Sequence, residues 1–168
     1  MMATNFLWYA GTTPYQGLTA PSVTLMSTEA TTLGSSVVVL SSSGPNLNGV
    51  YTSSLSGQSV WGEVFFTCAS TFSGTPLAGG NIAGWFIPSY DGGTTYESTN
   101  QWLPAPPRPP DFIIPFSTTV GVVANSIYKA NGMVRFPALT YKVAIQNNLG
   151  VAIGSTNTLK IAPIALQY

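Results

Sequence analysis

"TYKVAIQNNLG", Thr140 to Gly150, sets how the rest of this chain is read. Tyr141, Val143 and Ile145 alternate with Thr140, Lys142, Ala144 and Gln146, so the two sets fall on opposite faces of a β-strand. The aromatic and β-branched members of the first set are residue types that suit a pleated, half-buried surface. "NNLG" then supplies the residues of a turn.

The same pattern extends outward in both directions. Downstream, "TLKIAPIALQY" places Leu159 and Ile161 on one face, while Ile164 and Leu166 have the opposite parity. Pro163 stands at the switch, which predicts a bulge or an edge position there. Upstream, strands are expected near 5–10, 17–26, 36–41, 49–53, 60–70, 83–89, 111–116 and 133–136. Further strands are expected near 139–147, 151–153 and 159–166. No window combines helical spacing of apolar residues with good helix formers. Many short strands separated by Gly, Asn and Pro turns predict an all-β chain folded as a two-sheet sandwich. A jelly roll is the first expectation and an immunoglobulin-like sandwich the second. The 168 residues suit one domain, 1–168.

Composition narrows function. Charged residues make up 6% of the chain and the net charge is zero, against about a quarter charged in ordinary soluble proteins. A surface so sparsely charged favours association, although abundant Ser, Thr and Asn offer another route to solubility. Histidine is absent, which removes Ser-His-Asp and Cys-His nucleophiles, histidine metal sites and the commonest general base. The single cysteine, Cys68, excludes an internal disulfide framework and a thiolate zinc site. Its setting in "VWGEVFFTCAS" predicts a buried structural thiol.

No segment is a candidate bilayer-spanning helix, and no Lys/Arg cluster with interleaved aromatics suggests nucleic-acid binding. Partners of either kind, membrane or nucleic acid, are therefore not expected. The start, "MMATNFLWYAGTTPYQ", lacks the basic and apolar regions of a signal peptide, so a reducing cytoplasm is the expected place of synthesis. Charge is unevenly distributed along the chain. Residues 1–120 hold five acids against Arg108, a net of −4, and residues 121–168 hold four cations and no acid, a net of +4. Unless the fold interleaves the halves, such poles would suit head-to-tail contact between copies.

Two segments attract functional readings. In "GWFIPSYDGGTTYE" (residues 84–97), Trp85 and Phe86 point to opposite faces of a strand. Asp91, Gly92 and Gly93 are the expected hairpin turn, and Tyr96 the start of the return. One face of that strand would pack the core and the other would need cover, which a neighbouring subunit could supply. "NQWLPAPPRPPDF" (100–112) carries five of the thirteen prolines and is expected to be extended. It reads either as a stiff connector laid over the surface or as a docking arm. Trp102, Leu103, Arg108 and Phe112 are the candidate partner contacts.

Catalytic readings are thin. A carboxylate pair, Asp91 with Glu97 or Glu63 with Asp111, could serve a glycosidase, with Trp61, Trp85 and Trp102 as sugar platforms. None of these acids lies in a recognisable catalytic context, and "YDGGTTYE" offers too few hard ligands for a calcium site. No phosphate-binding loop is present. The expectation is a non-enzyme with no cofactor and no metal.

The run "GWFIPSYDGGTTYE" followed by "RPPDFIIPF" resembles small β-rich virion proteins of tailed bacteriophages. The likeness spans roughly residues 84–116, about a fifth of the chain, and its motifs are structural. It implies a capsid decoration or cement protein, made in the bacterial host cytoplasm and carried on the virion. Such a protein would bind the major capsid protein or another virion protein as a homo-oligomer, a trimer first. A tail or fibre-associated adhesion protein is a close relative in composition, and a carbohydrate-binding β-sandwich using Trp102, Tyr90 and Tyr96 is the rival reading. The resemblance carries no catalytic residue.

Overall fold

The structure, a computed structural model, describes residues 7–9, 23–27, 29–30, 33–42, 61–68, 74–97, 102, 106–116, 126–137, 140–154 and 156–166. It is all-β, with two antiparallel sheets packed face to face. The first sheet contains β1 (Leu7–Tyr9), β2 (Val23–Met26), β4 (Trp61–Cys68), β7 (Ser126–Lys129), β8 (Val134–Arg135) and β10 (Thr158–Leu166). The second, in spatial order, is β3 (Val38–Leu40), β9 (Tyr141–Asn147), β5 (Asn81–Pro88) and β6 (Phe112–Pro115).

The six pieces of the first sheet make a layer four strands wide. β1 and β2 lie along one edge of β10, β1 against Ile164–Leu166 and β2 against Leu159–Ile161. β4 covers the other edge of β10. β7 and β8 likewise share the far edge of β4. Between β7 and β8 the register moves by two residues, and the chain bulges there around Gly132, whose φ is 78°. Across both sheets the pairings nest. The first edge (β1 with β2) pairs with β10, β3 with β9, β4 with the edge formed by β7 and β8, and β5 with its immediate successor β6.

Alternation along the strands builds the core. Val64, Phe66 and Cys68 of β4 point inward with Leu159 and Ile161 of β10, and they meet Ile82, Phe86, Val143 and Ile145 from the second sheet. Tyr141, Val143 and Ile145 share the inner face as their spacing predicts, and Ala144 lies on the outer face. Aromatic rings fill one end of the layer. Phe86 meets Tyr141 at 5.0 Å, Phe112 at 5.4 Å and Phe136 at 5.6 Å between ring centroids, spacings at which edge-to-face packing is favourable. Gly84 makes this possible, because a Cβ there would lie 1.9 Å from the Phe112 ring.

Several expectations are corrected in detail. Of the two expectations at Pro163, the bulge is absent and the unpaired edge is found: β10 keeps an unbroken register with β4 from Thr158 to Ile164, and the irregularity lies between Leu159 and Lys160, on the β2 side. Pro163 falls where the other edge of β10 passes from β2 to β1, a gap in the ladder that tolerates a residue without an N–H. Residues 151–153 form only a single bridge, Leu33 to Ile153. β7 was not expected from sequence at all. The strand expected near 49–53 lies outside the described residues.

The turn after β9 is pinned by a buried side chain. Asn147 Nδ2 donates to Leu33 O at 3.0 Å and Val151 O at 2.8 Å, and its Oδ1 accepts the Leu149 N–H at 2.9 Å. A fully buried amide is stable only when so satisfied. Gly150 takes the left-handed backbone that closes the turn, φ 76°.

Candidate functional site

β5 is buried on both faces from Ile82 to Ile87. Its inner face joins the main core, while Ala83, Trp85 and Ile87 project from the outer face of the second sheet. There they form a separate cluster with Val38, Ala144 and Trp102. Trp102 is completely buried and meets Trp85 edge-on at 6.3 Å. The cover required over Trp85 thus comes from the chain's own proline-rich segment rather than from a neighbour.

Prolines in that segment cannot donate to β5, so side chains do the pairing. The β5–β6 ladder ends at Gly84 with Phe112, and the Asp111 N–H still reaches Gly84 O at 2.8 Å. Beyond it, the Phe86 N–H donates to Asp111 Oδ2 at 2.7 Å, and Arg108 Nη2 donates to Phe86 O at 2.6 Å. Arg108 and Asp111 close this bracket with an ion pair of 2.7 Å. The Trp85 indole donates to Arg108 O at 2.8 Å, and the Arg108 guanidinium lies 5.3 Å from the Trp102 ring centre.

This arrangement corrects the docking-arm expectation. Trp102 and Phe112 fill the protein's own interior, and Arg108 ties the segment to β5, so the connector reading is the one that fits. Leu103 lies outside the described residues. Arg108 and Asp111 remain about one third exposed and line the wall of a cleft.

The expected hairpin is also corrected. Asp91, Gly92 and Gly93 do turn the chain, with φ of 74° and 101° at the glycines. Among the described residues no strand returns at Tyr96; β5 pairs with β9 on one side and on the other with β6, the next described strand in the chain. Asp91 organises the turn: its Oδ1 accepts from the Thr95 and Thr94 N–H groups and from the Ser89 hydroxyl. Hydrogen bonds from Thr95, side chain first and then backbone, and from Ser89 pull its carboxyl from 3.8 down to about 2.

The cleft lies beside this connection, where the end of β5 meets the segment following β8. It encloses about 410 Å³, and its apolar lining includes Phe86, Pro88, Phe136 and Pro137. Four charged side chains line it as well, Arg108, Arg135, Glu97 and Asp111, and Tyr90 completes the wall with 78% of its surface exposed. Arg135 was expected only as part of a basic C-terminal stretch. It reaches the cleft because β8 pairs with the start of β4, a long-range pairing that local sequence does not reveal.

The fold also interleaves the two halves of the charge distribution. Lys129 pairs with Glu63, Arg135 shares the cleft with Glu97 and Asp111, and Lys142 sits 4.6 Å from the Tyr96 ring centre. The interleaved halves therefore do not set up opposite poles for head-to-tail contact. Structure gives the acids other tasks: Asp91 holds a turn, Asp111 caps a strand and Glu63 faces a lysine. Among the described residues no three His, Cys, Asp or Glu side chains gather in a metal-binding group. Of the expected sugar platforms, Trp85 and Trp102 are buried and Trp61 is exposed. Cys68 is buried, and desolvation pushes its thiol up to about 12.

No protein-family model matches this sequence, and no curated protein matches it either.

Proposed function

We propose that the protein is a structural component of a tailed-bacteriophage virion, a decoration or cement protein that binds the outer head lattice as an oligomer. The observation that carries this reading is the nesting of the strand pairs. First-with-last, second-with-next-to-last pairing is what results when one long hairpin is rolled into two sheets. We read this nesting as jelly-roll winding, an architecture used in viral capsid domains and in lectins. The sparse charge supports the same reading, because a nearly uncharged surface suits close packing against neighbours. So does the motif of residues 84–116, whose conspicuous residues perform structural tasks.

The reading requires a surface other than Trp102 for attachment. Leu77, Ile113, Ile127 and Met133 are large apolar side chains left exposed, and exposed apolar groups of this kind are candidates for coverage by a neighbour. Light scattering on the purified protein at moderate salt, followed by co-sedimentation with phage heads lacking outer proteins, tests the proposal. A defined oligomer, trimeric first, that binds the heads saturably is expected. A monomer at micromolar concentration that leaves the heads bare overturns it.

A further inference from the structure

We propose that the cleft lined by Tyr90, Glu97, Arg108, Asp111 and Arg135 is a binding site for a neutral saccharide. This inference is independent of the virion reading and concerns a ligand rather than a particle contact.

Charge balance is the first argument. Two arginines face two carboxylates in one cleft. A polyanion would meet Glu97 and Asp111, and a polycation would meet Arg108 and Arg135. The suited ligand is uncharged and offers donors and acceptors together, as vicinal hydroxyls do. Planar guanidinium and carboxylate groups match adjacent hydroxyls two at a time, through charge-assisted hydrogen bonds.

Preorganisation is the second. Arg108 spends two of its N–H groups on Asp111 and the Phe86 carbonyl, and each Asp111 oxygen accepts one of the hydrogen bonds described. Both groups keep further donor or acceptor capacity while their geometry is fixed by β5, so little ordering is left for a ligand to impose. Arg135 and Glu97 are exposed and form no ion pair with a described residue. They supply the adaptable half of the site.

An apolar face adjoins these charged groups. Tyr90 is the most exposed large aromatic of the described residues, and Pro88 and Pro137 continue the apolar lining. A pyranose ring presents one face of C–H groups, which packs on such a surface while its hydroxyl edges reach the charged groups. The volume of about 410 Å³ lies within the range of small-ligand sites.

Titration of isotope-labelled protein with methyl glycosides of glucose, galactose, mannose and N-acetylglucosamine tests the proposal, with sialic acid as the charged comparison. The readouts are the Tyr90 ring and Arg135 Nε–H signals. At least one neutral glycoside is expected to shift both saturably, with a Kd on the order of 1 mM. Tyr90→Ala and Arg135→Gln, both at exposed positions, should each weaken binding about tenfold, or about 1.4 kcal/mol, with the melting temperature unchanged. The proposal is overturned if no neutral glycoside moves these signals, if sialic acid binds best, or if both variants bind like the parent. A peptide that shifts the signals where every glycoside fails also overturns it. Attachment to phage heads is read separately, so the two proposals fail independently.

Discussion

Asp111 and Arg108 hold the backbone of Phe86 between them, one accepting its N–H at 2.7 Å and the other donating to its carbonyl at 2.6 Å. Two side chains thereby replace the strand that a proline-rich segment cannot form. The ion pair alone, about one third exposed, would contribute little. Its value lies in the strand edge it completes and in the position it gives to the cleft wall.

Replacing Asp111 with Ala leaves the Phe86 N–H without its acceptor and Arg108 without its counter-ion. A loss of about 1–3 kcal/mol is expected, measured by urea unfolding. A double-mutant cycle with Arg108→Ala should show coupling of about 0.5 kcal/mol or more. Additive effects would mean that the two residues do not act as one bracket.

Trp102→Ala should destabilise the protein by roughly 3–5 kcal/mol, because it empties a fully buried site against Trp85. Trp102→Phe should cost less. The indole N–H finds no hydrogen-bond partner among the described residues, so its removal relieves an unpaired buried donor while part of the volume is kept. A Trp102→Ala protein as stable as the parent in thermal melts would contradict the packing described.

Gly84→Ala should be costly although its backbone is not strained, since the new methyl would overlap the Phe112 ring. A penalty of about 1–3 kcal/mol is expected for such overpacking. Adding Phe112→Leu should recover part of the loss. If the pair is no more stable than Gly84→Ala alone in chemical unfolding, the clash is not the cause.

Asp91 makes the 89–97 turn sensitive to acid. Its folded pKa, about 2, lies below its ordinary 3.8, so its contribution is present above pH 4 and is lost as pH falls towards 2. Protection of the Thr94 and Thr95 amides, relative to unstructured peptide at the same pH, should fall as the pH drops through that window in the parent. In Asp91→Ala the protection should already be low at pH 6, with no side-chain oxygen to accept those N–H groups.

Cys68 should resist thiol reagents in the folded state. It is buried and its thiol is pushed up to about 12, so almost no thiolate exists at neutral pH. Labelling should proceed only through opening of β4 and should accelerate in parallel with added denaturant. Fast labelling in native buffer would contradict this burial.

Local pattern by itself determined most of the described strands and their faces, with β7 (Ser126–Lys129) the exception. Alternation at Tyr141, Val143 and Ile145 and along Val64, Phe66 and Cys68 is a property of neighbouring residues, so sequence displays it directly. The turn at Asp91-Gly92-Gly93 was equally legible, because left-handed backbone selects glycine and a short carboxylate caps its own loop. Tertiary structure alone decided what lies against what. Trp102 reads as an anchor either to its own domain or to a neighbour until it is seen to cover the outer face of β5, and Arg135 reads as one basic residue until β8 pairs with β4. The charges of the two halves interleave in space for the same reason: antiparallel pairing of distant strands sets Lys129 beside Glu63 and places Arg135 in one cleft with Glu97. Such contacts join residues far apart in the chain, and no local propensity encodes them.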